Sequence, residues 1–109
     1  MESFNTVGLV GWLEGDLATK WQGEGTQVTS FTIRLEERSA EKTHLVYVPV
    51  VAYGKTAERA ADFTPGDVIG VQGTLVWRRA PDRPGEHTGR LVVMASSVLC
   101  VVPAPVAVT

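Results

Sequence analysis

The sequence is short of the residues that most often carry chemistry. It holds one cysteine and two histidines in 109 residues. A single cysteine, Cys100, excludes an intramolecular disulfide and a thiolate metal cluster. Placed in the apolar run Val98–Val102, it reads as a small buried hydrophobe. His44 and His87 fall in or beside polar loops, with no cysteine or acid at metal-ligand spacing. There is no Ser–His–Asp order, no phosphate-cradling P-loop and no Gly-rich dinucleotide turn. Gly23-Glu24-Gly25 reads as a turn. The chain is therefore expected not to be an enzyme and to use no cofactor or metal.

Charge of one sign is also missing. Ten Lys and Arg stand against twelve Asp and Glu, a formal net charge of −2. A protein that holds phosphates is ordinarily basic, so any positive potential here must come from a local patch. No apolar run reaches the roughly 20 residues that cross a bilayer. The start, Met1-Glu2-Ser3-Phe4-Asn5, lacks the basic and apolar stretches of a signal peptide. These absences predict a cytoplasmic protein with no membrane partner. What is present, 44% hydrophobic and 20% charged residues, is the profile of a folded domain. The length fits one domain with a modest core, for which subunit association is a natural source of stability.

Short β-rich runs separated by turn signals dominate. Thr6–Leu13 alternates, with Val7, Leu9, Gly11 and Leu13 on one face and Gly8, Val10 and Trp12 on the other. Val28–Glu36 follows, Thr29, Phe31, Ile33 and Leu35 opposing Val28, Ser30, Thr32 and Arg34. Glu37–Lys42 reads as a loop. Thr43–Tyr53 is apolar enough to be covered on both faces, although Pro49 demands an edge or a bulge. A short helix is predicted at Thr56–Phe63, where Ala57, Ala60 and Ala61 favour it, and Thr64-Pro65-Gly66-Asp67 stops it. Asp67–Arg79 alternates again, placing Ile69, Val71, Gly73, Leu75 and Trp77 together. Ala80–Gly89 reads as a long hairpin loop, Arg90–Val102 as the last strand, and Pro103–Thr109 as a loose tail. Five strands, with one short helix between the third and fourth, predict an all-β Greek-key barrel of the OB-fold type over residues 1–102. Gly11 and Gly73 would mark its sharp bends.

Several segments then match a known family. Asn5-Thr6-Val7, Leu9-Val10-Gly11 and Leu13 resemble the opening strand of bacterial-type single-stranded DNA-binding proteins. Asp16 and Lys20-Trp21 look like that family's acidic residue and basic-aromatic pair. Val28 with Phe31-Thr32-Ile33 resembles its second strand. Val50-Val51-Ala52-Tyr53-Gly54-Lys55 with Ala57-Glu58 resembles the third strand and the start of the helix. Pro65-Gly66-Asp67-Val68 with Val71-Gln72-Gly73-Thr74-Leu75 resembles the fourth. The resemblance spans about residues 5–102. It implies an OB-fold, sequence-tolerant binding of single-stranded DNA in replication, recombination or repair, and a homo-oligomer, usually a tetramer, with a dimer as the other possibility.

Such binding needs aromatic rings to stack on bases and cations to follow the phosphates. Tyr47 and Tyr53 share one face of the third strand, opposite Val46, Val48, Val50 and Ala52, and the resemblance puts both at stacking positions. Trp12 leaves the core by phase alone and is a stacking candidate, with a subunit contact as its rival role. Trp21 completes the basic-aromatic pair. Trp77 keeps phase with Ile69 and Val71 and is expected to pack at the core or rim. The candidate phosphate ligands are Lys20, Arg34, Lys55, Arg78, Arg79 and Arg90, while Glu36, Glu37, Glu41, Glu58 and Asp62 are expected away from them. The family often carries a basic residue where Val76 stands and an aromatic where Ala80 stands; both are missing. The family's acidic-hydrophobic tip is also missing after Glu86, so recruitment of repair proteins through an acidic tail is not expected. Two other functions fit the same fold: an OB-fold interaction module of a primosome-type assembly, and single-stranded RNA binding.

Overall fold

The structure is a computed structural model, and it describes residues 2–79 and 89–106. Five strands and one helix follow in the order β1 (Val7–Gln22), β2 (Thr26–Ser39), β3 (Lys42–Tyr53), α1 (Gly54–Ala60), β4 (Val68–Arg79) and β5 (Gly89–Val102). The strands close into a barrel in the order β1-β2-β3-β5-β4. All neighbours are antiparallel except β3 and β5, which run parallel and pair only at Val50↔Val93 and Val51↔Met94. The all-β OB-type barrel with its helix between the third and fourth strands is thus the architecture the alternation predicted.

The core follows from that alternation. Leu13, Phe31, Ile33, Val50, Ala52, Ile69, Val71, Val93, Ala95 and Val98 point inward and are buried. Ala57 and Ala60 close one end, with Phe63 set edge-on to Phe31 at 6.3 Å between ring centroids. Thr29 is the polar exception on the inner face. It is fully buried, and its hydroxyl donates to the Ala57 carbonyl at 2.9 Å, tying the helix to β2.

Two glycines permit the closure. A Cβ on Gly11 would lie 2.5 Å from the Arg34 carbonyl oxygen, and one on Gly73 would overlap the Met94 carbonyl. Gly73 adjoins a β-bulge, where Gln72 pairs with Ser97 and Gly73 with Ala95. An extra residue here bends β5 and tightens the barrel.

Four sequence expectations change. The predicted loop Glu37–Lys42 is mostly strand, because β2 and β3 stay paired to Ser39↔Lys42 and turn only at Ala40–Glu41. The helix begins at Gly54, two residues early, and ends at Ala60. β3 is not covered on both faces throughout. Its first half is an arm paired to β2 alone, which leaves Leu45, Val46 and Tyr47 exposed, and Pro49 sits in this one-sided stretch. The tail is pinned at its start, since the Ala104 N–H donates to Asp67 Oδ1 at 2.6 Å. The loop 80–88, with Ala80 and His87, and residues 107–109 lie outside the described residues.

Candidate nucleic-acid interface

Cross-strand partners in a sheet share a face, so the register decides which candidate residues meet. Trp12 pairs with Arg34, and Arg34 with Tyr47. Lys20 pairs with Val28, and Val28 with Tyr53. A bulge between Glu14 and Ala18 inserts two extra residues in β1, so Trp12 and Lys20 keep one face despite it. Between these rows, Ala18, Ser30, Val51, Met94 and Thr74 align across five strands. Arg78 pairs with Arg90 on the same face. Seven of the ten predicted residues therefore lie on one outward surface: Trp12, Lys20, Arg34, Tyr47, Tyr53, Arg78 and Arg90.

This surface is concave. The paired arms of β2–β3 and β4–β5 rise beyond the core and flank a groove of ≈ 190 Å³. Ser30, Thr32, Pro49, Val51 and Val92 line it, with Asp16 on one wall and Arg78 and Arg90 on the other. Val51 and Val92 are buried although they point outward, because they form the groove floor. Tyr47 is half-exposed on one flank and Tyr53 partly buried where β3 runs into α1. Lys55, exposed on α1, borders a polar depression with Thr56, Arg59, Ser96 and Ser97. Along β5, Arg90 and Ser96 are six residues apart, about 20 Å of extended chain. Cations thus stand at both ends of the face, with Asp16 in the groove between them.

Trp21 and Arg79 do not join the group. Trp21 pairs with Gln27 and faces the other way from Lys20, 67% exposed at the hairpin end. Arg79 pairs with Gly89 on the side opposite Arg78. Trp77 corrects the expectation of core or rim packing. It keeps the inward phase, but β4 has already left the barrel at that height, so it stands 48% exposed beside Leu91. Leu75 is exposed for the same reason, its backbone held instead by Asn5. Asn5 Nδ2 donates to the Leu75 carbonyl at 2.8 Å, and the Leu75 N–H donates to Asn5 Oδ1 at 2.7 Å, extending the β1–β4 ladder through a side chain.

Trp12 does leave the core, but it is not bare. The Arg34 guanidinium lies over its ring at 5.2 Å. Arg34 is in turn ion-paired, from Nη1 to Glu14 Oε2 at 3.2 Å and from Nη2 to Glu36 Oε1 at 3.9 Å. Glu36 therefore stands on the candidate face rather than away from it, and Glu14 was given no role by the sequence. Its phase with Trp12 was the available signal. Among the described residues no cluster of His, Cys, Asp and Glu could hold a metal, and no helix is long and apolar enough to cross a membrane.

The barrel resembles solved structures that establish the fold. The single-stranded DNA-binding protein of Thermus aquaticus superposes with a TM-score of 0.73 at 22% identity, covering 87% of this chain and 48% of that one. The protein PriB of Ralstonia solanacearum superposes with a TM-score of 0.67 at 18% identity, covering 90% and 99%. In sequence, the chain is 33% identical over 98 residues to the single-stranded DNA-binding protein of Clostridium tetani. It is 31% identical over 98 residues to single-stranded DNA-binding protein 3 of Clostridium acetobutylicum. Each alignment covers 86% of this chain and 68% of the relative. The model of the single-strand binding protein family matches residues 4–101, and with those relatives it makes this chain a member of that family.

Proposed function

We propose that this chain binds single-stranded DNA without sequence preference and shields it during replication, recombination or repair. One observation supports this above the rest. Register sets Trp12, Arg34 and Tyr47 in one outward row, Lys20 and Tyr53 in a second, and Arg78 with Arg90 in a third that borders the groove. A face built this way holds bases by their π-faces and phosphates by charge, and it needs no pattern of hydrogen bonds to the base edges. Tyr47, Tyr53 and Trp12 take the stacking role. Lys20, Arg34, Arg78 and Arg90 follow the backbone, and Lys55 extends the path past α1. Trp21 and Arg79, on the far sides of their arms, meet DNA only if the strand wraps around those arms. The family is one of binders rather than catalysts.

The working form is a homo-oligomer, a tetramer by analogy with the family, located with the DNA in the cytoplasm. A surface for self-association lies outside the groove lining, next to Trp12 on β1. Val10, Gly70 and Leu99 form one outward row, with Val10 63% and Leu99 62% exposed. Beside it, β1 from Val7 to Gly11 pairs with β4 alone. A second copy can add to that strand edge and cover the apolar row at once.

The direct test is Tyr53→Ala against fluorescent oligo-dT. Removing a stacking ring is expected to weaken binding by about 1–3 kcal/mol. A loss below about 0.5 kcal/mol, under the stacking range, would remove Tyr53 from the interface.

A further inference from the structure

We infer that Glu14 and Glu36 are internal competitors for Arg34, holding its guanidinium on Trp12 until a phosphodiester displaces them. This rests on single-stranded DNA lying across the grooved face.

The local geometry is that of an occupied binding site. A planar aromatic face, a cation above it and two anions on the cation are the groups a stacked nucleotide would meet. Here the chain supplies the anions itself: Glu14 from β1, next on the face after Trp12, and Glu36 from β2, next after Arg34. All four side chains belong to the outward phase. The guanidinium covers the indole surface on which a base would stack.

Three features make the arrangement exchangeable. The carboxylates are 44% and 42% exposed and the Arg34 side chain 30% exposed, so an incoming phosphate can reach the cation from solvent. The Glu36 contact is long, at 3.9 Å, and lacks hydrogen-bond geometry. The Arg34 Nε–H is buried and meets no acceptor among the described residues. That donor is unsatisfied while the guanidinium lies on the indole, whereas a guanidinium turned outward can offer two parallel N–H groups to a phosphate. Displacement releases Arg34 from the carboxylates, gives its donors to the phosphate and uncovers Trp12 for a base. The carboxylates set the threshold: a ligand must bring both an anion and a π-face to repay the lost contacts.

Glu14 and Glu36 thereby differ from ordinary acidic residues near DNA, which act by general repulsion. Glu37 supplies the comparison. It pairs with His44 on the opposite face of the same arm and carries the same charge.

The full chain is titrated with fluorescein-labelled oligo-dT at low salt. Glu14→Gln and Glu36→Gln are each expected to tighten binding about two- to fivefold, the equivalent of an exposed ion pair. Glu37→Gln is expected to give a smaller gain. In an Arg34→Met background, the gains from Glu14→Gln and Glu36→Gln should fall to that of Glu37→Gln, since there is no longer a cation to release. Gains no larger than that of Glu37→Gln, or gains that persist without Arg34, overturn the inference. If the unaltered chain binds oligo-dT and the glutamates behave alike, only this inference fails. If the unaltered chain does not bind, the DNA-binding reading fails with it.

Discussion

Asp67 shows how one residue can hold three segments in place. Its Oδ2 accepts the Thr64 N–H at 2.8 Å and its Oδ1 the Ala104 N–H at 2.6 Å, while its own N–H donates to the Thr64 carbonyl. The Asp67 carbonyl accepts the Leu13 N–H, joining the turn to β1. The backbone donors at Thr64 and then Ala104 hold its carboxyl below the ordinary value, against the opposing effect of burial. A group whose pKa falls on folding stabilises the fold above its unfolded value, near pH 4, and loses that contribution as pH drops through the folded value. Asp67→Asn, which cannot accept at both positions, is expected to cost about 1–3 kcal/mol at neutral pH in urea unfolding. Its deficit should shrink in strong acid, where the native carboxyl is also protonated. A deficit independent of pH would contradict this assignment. Nearby, burial and then the Asp67 charge push the Cys100 thiol up. Cys100 should therefore react slowly with alkylating reagents in the native protein and quickly in urea.

Elements explain what the sequence revealed and what it hid. The inward phase of β2 was legible because Phe31 and Ile33 alternate with the polar Ser30, Thr32 and Arg34. The same reasoning placed Tyr47 and Tyr53 on one outward face. It failed for Trp77 and Leu75, since phase gives the side of a strand but not how far the strand outruns the barrel. It failed again for Glu37–Lys42, a polar run read as a loop although hairpin arms in solvent are naturally polar on both faces. Register lay out of reach: nothing in the one-dimensional pattern pairs Trp12 with Arg34 or Arg78 with Arg90, although alternation alone puts Glu36 on the face of Arg34. The bulge at Gly73 is the device that sets this register between β4 and β5. Gly73→Ala would press a methyl group into the Met94 carbonyl, and an overpacking cost of about 1–3 kcal/mol is expected. Thermal denaturation measures it, and an unchanged midpoint would show that the strands can shift without penalty.

At the scale of the molecule, charge placement matters more than charge count. The chain is net acidic, yet Lys20, Arg34, Arg78 and Arg90 share the outward phase with only Glu14, Asp16 and Glu36 near them among the described residues, while Glu37 and Glu41 occupy the opposite side or the tip of one arm. Light scattering should report an oligomer, and Val10→Glu, which charges the apolar row, should shift it toward the monomer. An unchanged mass would place the contact elsewhere. The central claim, binding of single-stranded DNA through stacking and phosphate contacts, is tested most directly by one salt titration with poly-dT, poly-U and duplex DNA. Poly-dT is expected to bind tighter than micromolar at low salt and more tightly than the duplex. The logarithm of its affinity should fall linearly with log salt, with a slope near −0.7 per phosphate contacted. Micromolar or weaker binding to all three ligands at low salt would contradict it.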